Sequence, residues 1–304
     1  MVSMQRLYVV RGPPRSRLRF GGVEPDVRRA VPAMRWVFGV GSVLVTAAGV
    51  QLFVLTDFTD RFFAWTISPG LSAAFLGAFY FTALVLAAGS ATQPEWTRAR
   101  VGVFGVWLFV TLTLAATLLH LDKFHYSDPS LVARGAAWLW TIIYVVEPPA
   151  VLAAIVVQTR APGRDRPRQR RLPAWYRASV VAQSFALAVA GIWLFVAPSS
   201  AAWWPWTLTP LVARAMASWL LGLAVVLATA AWEDDWDRIR IATAAYVALG
   251  VLQFIALARY ARDLRGGTST VLYLAFLALV LVTGAVGAAF TLSARRPIPA
   301  GRPR

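Results

Sequence analysis

The chain of 304 residues has no cysteine, a single lysine (Lys123) and few charged residues, 14% in all. Without cysteine it forms no disulfide, thiolate metal site, thiol nucleophile or iron–sulfur cluster. Soluble domains carry about 25% charged residues. The low charge, together with 58% hydrophobic residues, therefore excludes an ordinary soluble domain and indicates a protein embedded in a lipid bilayer.

Eight apolar stretches are long enough to cross a hydrocarbon core of about 30 Å as helices. None shows the alternation of apolar and polar residues that a membrane β-barrel strand requires. The predicted fold class is therefore all-α integral membrane, with eight transmembrane helices. The predicted spans cover residues 36–55, 67–91, 101–119, 136–158, 178–197, 211–232, 241–258 and 268–292.

Arginine is concentrated near both ends of the chain and between spans four and five. The positive-inside rule makes these segments cytoplasmic, and an even number of spans places both termini on that side of the plasma (inner) membrane. Orientation accounts for the net charge of +16 without nucleic acid, and anionic lipid is a second explanation. The arginines are Arg6, Arg11, Arg15, Arg17, Arg19, Arg28, Arg29, Arg35, Arg160, Arg164, Arg166, Arg168, Arg170, Arg171, Arg295, Arg296, Arg302 and Arg304.

The segments outside the spans are basic and weakly patterned. Residues 1–33 are predicted to be a disordered cytoplasmic tail with no signal peptide, and Met34 is a candidate alternative start. Residues 159–174 are predicted to be a basic cytoplasmic linker, and residues 294–304 a second basic tail.

Three phrases recur at nearly one spacing. At an offset of 141 residues WTISP (65–69) matches WTLTP (206–210), at 140 WTRARV (96–101) matches WDRIRI (236–241), and at 142 GVQLFV (49–54) matches GIWLFV (191–196). The pattern predicts a duplicated four-helix unit, residues 34–158 and 175–293. Because each unit has an even number of spans, the repeats are expected to be parallel and related by an axis along the membrane normal.

The WTISP and WTLTP phrases lie where spans two and six begin. Ser68 and Thr209 are predicted to cap these helices, with Pro69 and Pro210 in the first helical position. Alternatively, the two helix N-termini, each with a partial positive charge, face a shared anionic ligand.

Glu147 is the most informative charged residue within a span. A rise of 1.5 Å per residue places it about 16 Å from the outer end of span four. Pro148 and Pro149 follow it and are expected to bend or break the helix. An acid beside a broken helix at this depth is typical of ion, substrate and proton sites, but a glutamate that only satisfies freed backbone groups fits equally well.

Arg214 lies one turn below Pro210, from where its side chain can extend to the interface. An alternative is a salt bridge to Glu147 across a depth difference of about 10 Å. Arg259, Arg262 and Arg265 are expected to add positive charge at the same outer mouth and to attract anionic lipid or solute. The candidate ligand-binding set is Glu147, Pro148, Arg214, Ser68 and Thr209.

The connection between spans three and four holds both histidines. His120, Asp122 and His125 have the donor types that suit zinc or another divalent ion. Residues five apart diverge on a helix, so a polar interfacial loop without metal is the alternative.

Two further groups of polar residues have structural interpretations. The acidic run Glu233, Asp234, Asp235 and Asp237 is predicted to pair with nearby arginines or with the basic tail. Isolated amides within the spans are interpreted as bonds between helices rather than ligands; they are Gln51, Gln183 and Gln253.

The segments WTISPGLSAAFLGAFYF, LLHLDKFH, WLWTIIYVVEPP and PWTLTPLVARAMASWLLGL resemble a group of uncharacterised actinobacterial multi-spanning membrane proteins. The resemblance covers most of the membrane part of the chain, beyond residue 33. It implies no activity and no cofactor.

Three functions are compatible with these residues. The first is binding or translocation of a small or lipidic, anionic ligand in a groove between the two repeats. The second is a membrane-embedded enzyme at the outer leaflet, in which Glu147 or Asp122 acts as acid or base and the histidines assist or hold a metal. The third is a structural subunit that binds another membrane protein or a second copy of the chain.

Overall fold

The computed structural model describes residues 27–293 of the protein. Eight helices in this range are long and apolar enough to cross a membrane, which confirms the predicted multi-pass, all-helical class. The arginines of the two predicted tails before residue 27 and after residue 293 lie outside the described residues. The helices are α1 (Pro32–Val54), α2 (Gly70–Ala91), α3 (Trp96–Leu118), α4 (Leu131–Thr159), α5 (Ala174–Val196), α6 (Pro210–Glu233), α7 (Trp236–Arg259) and α8 (Gly267–Ser293).

The helices form a central group and a flanking group. Helices α2, α3, α6 and α7 lie at the centre, where α2 packs against α7 and α3 packs against α6. Helices α1, α4, α5 and α8 flank them, through the pairs α1–α2, α3–α4, α5–α6 and α7–α8. The flanking helices expose large apolar side chains such as Trp36 and Phe185, as expected for contact with lipid.

The connections between helices gather at two ends of the bundle. We call one the linker end; it contains residues 27–31, 92–95, 160–173 and 234–235. The other, the histidine end, contains residues 55–69, 119–130, 197–209 and 260–266. Hydrogen bonds join the segments at each end: Arg28 N–H donates to the Arg164 carbonyl (3.0 Å), for example, and His125 N–H to the Ala64 carbonyl (3.0 Å).

Residues 27–31 belong to the segment that was predicted to be a disordered tail. This part of the prediction is wrong, because these residues form specific hydrogen bonds. The Ala30 N–H donates to the Pro94 carbonyl over 3.0 Å. The Gln158 side chain accepts from the Val31 N–H (2.8 Å) and donates to the Arg29 carbonyl (3.0 Å). The start of α1 is thus fastened to the turn between α2 and α3 and to the end of α4.

Helix α4 also differs from expectation, because it runs from Leu131 to Thr159 without a break. Pro148 and Pro149 lie inside it. Two consecutive prolines remove only two N–H donors, and the helical bonds on either side of them hold the helix together.

The backbones of α3 and α6 approach each other closely where the two helices cross. In the crossing of α3 and α6, a Cβ atom added to Gly105 would lie 2.5 Å from the Gly222 carbonyl oxygen. One added to Gly222 would lie 2.9 Å from the Gly105 carbonyl oxygen. Only glycine permits such an approach of two backbones, so this pair fixes the spacing of α3 and α6.

The two predicted helix caps have different outcomes. The Thr209 hydroxyl accepts from the Val212 N–H, which confirms it as the N-cap of α6. The expectation for Ser68 is wrong, because Pro69 is the N-cap residue of α2 and Gly70 is its first helical residue. The Asp263 carboxylate, from the α7–α8 connection, accepts from the Leu71 N–H at 2.9 Å instead.

We expect Asp263→Ala to lower the free energy of unfolding by about 1 kcal/mol, because α2 loses a charged cap at its N-terminus. Thermal unfolding in detergent micelles measures this. Asp60→Ala is the matched control, since the Asp60 side chain is 55% exposed and its one ion pair among the described residues is with the exposed Arg61. An equal effect of both substitutions would contradict the assigned cap.

Candidate functional site

A cavity of about 150 Å³ lies between α1, α2, α3 and α4 and reaches α6 and α7. We call it the first cavity. Its lining is overwhelmingly apolar, from small residues such as Gly41 and Ala83 to aromatic ones such as Phe109 and Trp219. Within the described residues, Glu147 is the one charged side chain that lines it.

A tyrosine pair lies beside Glu147. The Tyr80 and Tyr144 hydroxyl oxygens are 2.7 Å apart, and both residues line the first cavity. Glu147 lines the same cavity, and Tyr144 precedes it by three residues in α4, so these two side chains share a helix face. When one hydroxyl donates to the other, the second keeps its own hydrogen for a further acceptor. The site therefore offers a carboxyl group and one free hydroxyl donor inside an apolar cavity.

Glu147 itself is half-buried and forms no ion pair in residues 27–293. The proposed salt bridge to Arg214 is absent. The Arg214 side chain instead donates to the Phe195 carbonyl at 3.1 Å and lies 3.0 Å from His120 Nε2. It reaches these partners because α5 and α3 flank α6 at the depth of Arg214.

The contact between Arg214 and His120 defines the state of the imidazole. His120 is buried, and its Nδ1 lies 3.0 Å from the Ala116 carbonyl oxygen. Only a protonated Nδ1 can bond a carbonyl, and only an unprotonated Nε2 can accept from a guanidinium. His120 is thus a neutral imidazole that positions Arg214.

The structure does not bring the three candidate metal ligands together. His125 contacts the Phe63 carbonyl and the Thr66 hydroxyl, and His120 is engaged as described above. Asp122 is exposed and pairs with Lys123, which lowers the pKa of its carboxyl group. No group of three His, Asp or Glu side chains in residues 27–293 is arranged to hold a metal ion.

The acidic run pairs with arginines at the linker end, as expected. Glu233 is fully buried, and its carboxylate accepts from Arg100 Nη2 (3.0 Å) and from Arg238 Nη1 (2.7 Å). Asp235 caps α7 and also accepts from the Arg170 N–H (3.0 Å). The linker is therefore bound to the start of α7, so it has a role in the packing of this end besides its role in membrane orientation.

The arginines at the histidine end are largely engaged with backbone. Arg259 donates to the Phe53 carbonyl at the end of α1, and Arg265 donates to the Ala202 carbonyl (3.1 Å). These bonds satisfy carbonyls that a helix end and a loop leave unpaired. They give these two residues a structural role, and the attraction of anions at this end stays a prediction.

Two of the three amides form hydrogen bonds between helices, as interpreted, and Gln51 bonds the connection that follows its own helix. The Gln183 side chain joins α5 to the Tyr246 hydroxyl (2.8 Å) and the Thr283 hydroxyl (2.9 Å). Gln253 donates to the Phe75 carbonyl, and Gln51 donates to the Phe62 carbonyl.

A second cavity, of about 410 Å³, lies between α5, α6, α7 and α8. Aromatic residues such as Trp204, Tyr273 and Phe276 line it, and no charged side chain of the described residues does. The two cavities therefore lie mainly in different halves of the chain, and only the first has a carboxyl group among its described lining residues.

Sequence reasoning found Glu147 but missed the tyrosines. Tyr144 precedes Glu147 by three residues, so the two share a helix face, and this spacing was a usable signal. Tyr80 belongs to another helix, α2, and only the contact of its hydroxyl with that of Tyr144 in the folded chain reveals it.

Comparison of the chain with protein-family models, with curated proteins and with solved structures finds no match. This outcome is consistent with a resemblance to uncharacterised multi-spanning membrane proteins alone.

Proposed function

We propose that the protein binds an apolar, lipid-like molecule in the first cavity, with the polar group of that molecule at Glu147. One observation carries the proposal: a cavity within the membrane region has a single carboxyl group beside a bonded tyrosine pair and is otherwise apolar. A carboxyl group is costly at this depth, and such residues within spans serve binding or ion pathways by default. Cavities with an apolar wall and few convergent polar groups are typical ligand sites.

The polar group of the ligand is neutral or cationic and donates a hydrogen bond. Glu147 can accept a hydrogen bond through a carboxyl oxygen whether it is ionised or not. The ionised form also repels anions. The expectation of an anionic ligand depended on the two helix N-termini and on Arg214 lining the site. Arg214 does not line the first cavity and contacts His120 instead.

We infer that the two halves are duplicated parallel repeats with the linker end in the cytoplasm. The reciprocal packing of α2 on α7 and α3 on α6 supports the duplication, as does the start of both α1 and α5 at the linker end. The arginines of residues 160–171 support the orientation.

A photoreactive long-chain alcohol tests the proposed site. The probe is added to protein in detergent, activated by light, and its attachment is mapped by mass spectrometry of peptides. We expect attachment to α1 and α4 around the first cavity, and about tenfold less in Gly41→Leu, because the new side chain occupies the cavity. A Cβ atom at Gly41 meets nothing within 4 Å, so a side chain can begin there without a clash.

Gly39→Leu is the matched control. Gly39 lies on the same helix and also has open space around it, but it does not line the first cavity. We expect this variant to label like the unaltered protein. Equal labelling of Gly41→Leu and Gly39→Leu would contradict the proposed site.

Charge selectivity is tested with probes of one chain length that end in an amine, an alcohol or a carboxylate. We expect the carboxylate to label least, and Glu147→Gln to remove any preference for the amine over the alcohol. Preferred labelling by the carboxylate would show that the assigned ligand polarity is wrong.

A further inference from the structure

A third, very small cavity lies next to the first one. Its volume is about 10 Å³, close to the room that one water molecule needs. It shares four lining residues with the first cavity: Tyr80, Phe109, Trp140 and Trp219. We call it the recess.

Two residues that line the recess each carry a polar side-chain atom without a hydrogen-bond partner. In residues 27–293 three buried side-chain nitrogen or oxygen atoms lack a partner: Trp65 Nε1, Thr113 Oγ1 and Trp204 Nε1. The first two belong to residues that line the recess, and each of these residues is only 3% exposed. Buried polar groups are nearly always hydrogen-bonded, because leaving one unpaired destabilises the fold, so two of them at one recess indicate a bound partner.

The hydroxyl of Thr113 lacks the hydrogen bond to a backbone carbonyl that other threonines of these helices form. Threonines within these helices usually donate to the carbonyl four residues earlier, as Thr117 does to Thr113 (2.8 Å) and Thr111 does to Trp107 (2.7 Å). Thr113 makes no such bond to Phe109. Its hydroxyl is therefore available to a group in the recess.

The indole of Trp65 differs in the same way from its partner in the repeat. Trp206, which follows Trp65 by 141 residues, donates from Nε1 to the Ser72 hydroxyl over 2.9 Å. The same offset from Ser72 leads to Ala213, which has no hydroxyl. The indole N–H of Trp65 thus lacks the protein acceptor that satisfies Trp206.

We propose that the recess binds one hydroxyl-type oxygen, which accepts from Trp65 Nε1 and bonds the Thr113 hydroxyl. The oxygen belongs either to a buried water molecule or to the hydroxyl end of a lipid-like molecule in the first cavity. The second source rests on the proposed function, whereas the first does not. Both have the required chemistry, because a hydroxyl and a water each accept and donate.

A double-mutant cycle tests the shared oxygen. Trp65→Phe removes the indole N–H but keeps an aromatic ring, and Thr113→Val removes the hydroxyl but keeps the shape. Because both groups bond one oxygen, we expect the double variant to lose less stability than the two single losses summed, by about 2 °C in Tm. Trp65→Phe leaves the same cavity whether Thr113 is present or replaced, so the cost of that cavity cancels in the cycle.

The chain supplies matched controls for the cycle. Trp206→Phe with Ser72→Ala removes a direct bond and is expected to be non-additive. Trp204→Phe with Thr113→Val is expected to be additive, because Trp204 lines the second cavity and does not line the recess.

The cycle is measured in protein washed extensively with detergent and again after addition of the long-chain alcohol. Non-additivity in the washed protein assigns the oxygen to water, and non-additivity only with the alcohol assigns it to the ligand. Additivity in both states overturns the inference. If the oxygen belongs to water, the inference holds even when the labelling experiment with Gly41→Leu contradicts the proposed function. The two proposals can therefore be refuted independently.

Discussion

Replacement of Glu233 by glutamine is expected to lower the free energy of unfolding by about 3–5 kcal/mol, the typical cost of leaving a buried charge without its partner. Glu233 is fully buried and holds Arg100 of α3 and Arg238 of α7, which are 8% and 7% exposed. Glutamine keeps the shape of the side chain but leaves the buried guanidinium of Arg238 without its counterion and leaves Arg100 with Asp165 alone. Thermal or denaturant unfolding in detergent micelles measures the loss.

Asp237→Asn is the matched control for this prediction. Asp237 also pairs with an arginine, Arg98, at 2.6 Å, but its side chain is 41% exposed. Solvent screens such a pair, so we expect a loss below about 1 kcal/mol. If both variants unfold alike, burial of the Glu233 cluster is not what stabilises the linker end.

The second large effect is expected at the glycine crossing of α3 and α6. Gly105→Val is expected to lower the free energy of unfolding by about 3 kcal/mol or more, because its side chain would meet the Gly222 carbonyl and Val226. The two helices cannot easily move apart to make room for this side chain, since both are central and packed on other helices. Unfolding temperature and the yield of folded protein both report the change.

Gly135→Ala provides the comparison. Gly135 lies inside α4, and a Cβ atom there meets nothing within 4 Å. Removing glycine from an open helical position raises helix stability by up to about 1 kcal/mol. We therefore expect opposite signs for the two glycine substitutions, and a mild effect at Gly105 would show that α3 and α6 are not in close contact.

The membrane helices follow from the sequence because each is decided by local apolar length. Predicted and observed spans agree to within a few residues, and the clearest differences are early starts, as for α3 at Trp96 and α4 at Leu131. These starts lie among polar residues such as Arg98 and Arg100, which a search for apolar runs excludes. The partners of those residues across the bundle stabilise the added turns.

Side-chain partners were harder to predict, because they depend on which helices meet. Glu147 was recognised from its own chemistry, but the tyrosine hydroxyls beside it come from two helices. Arg214 was linked to the wrong partner, since depth along the membrane normal does not determine position around the bundle. Likewise Ser68 has a capping sequence, yet Asp263, nearly two hundred residues away in the chain, supplies the cap.

The glycine crossing and the Glu233 cluster together bear on how a guest molecule reaches the interior. A rocking motion of one half against the other, as in alternating-access carriers, would have to separate Gly105 from Gly222 and Arg100 from Glu233. Both features therefore oppose such a motion. Because α1 and α4 line the first cavity and expose large apolar side chains, we expect a molecule that binds the proposed site to enter sideways from the surrounding lipid.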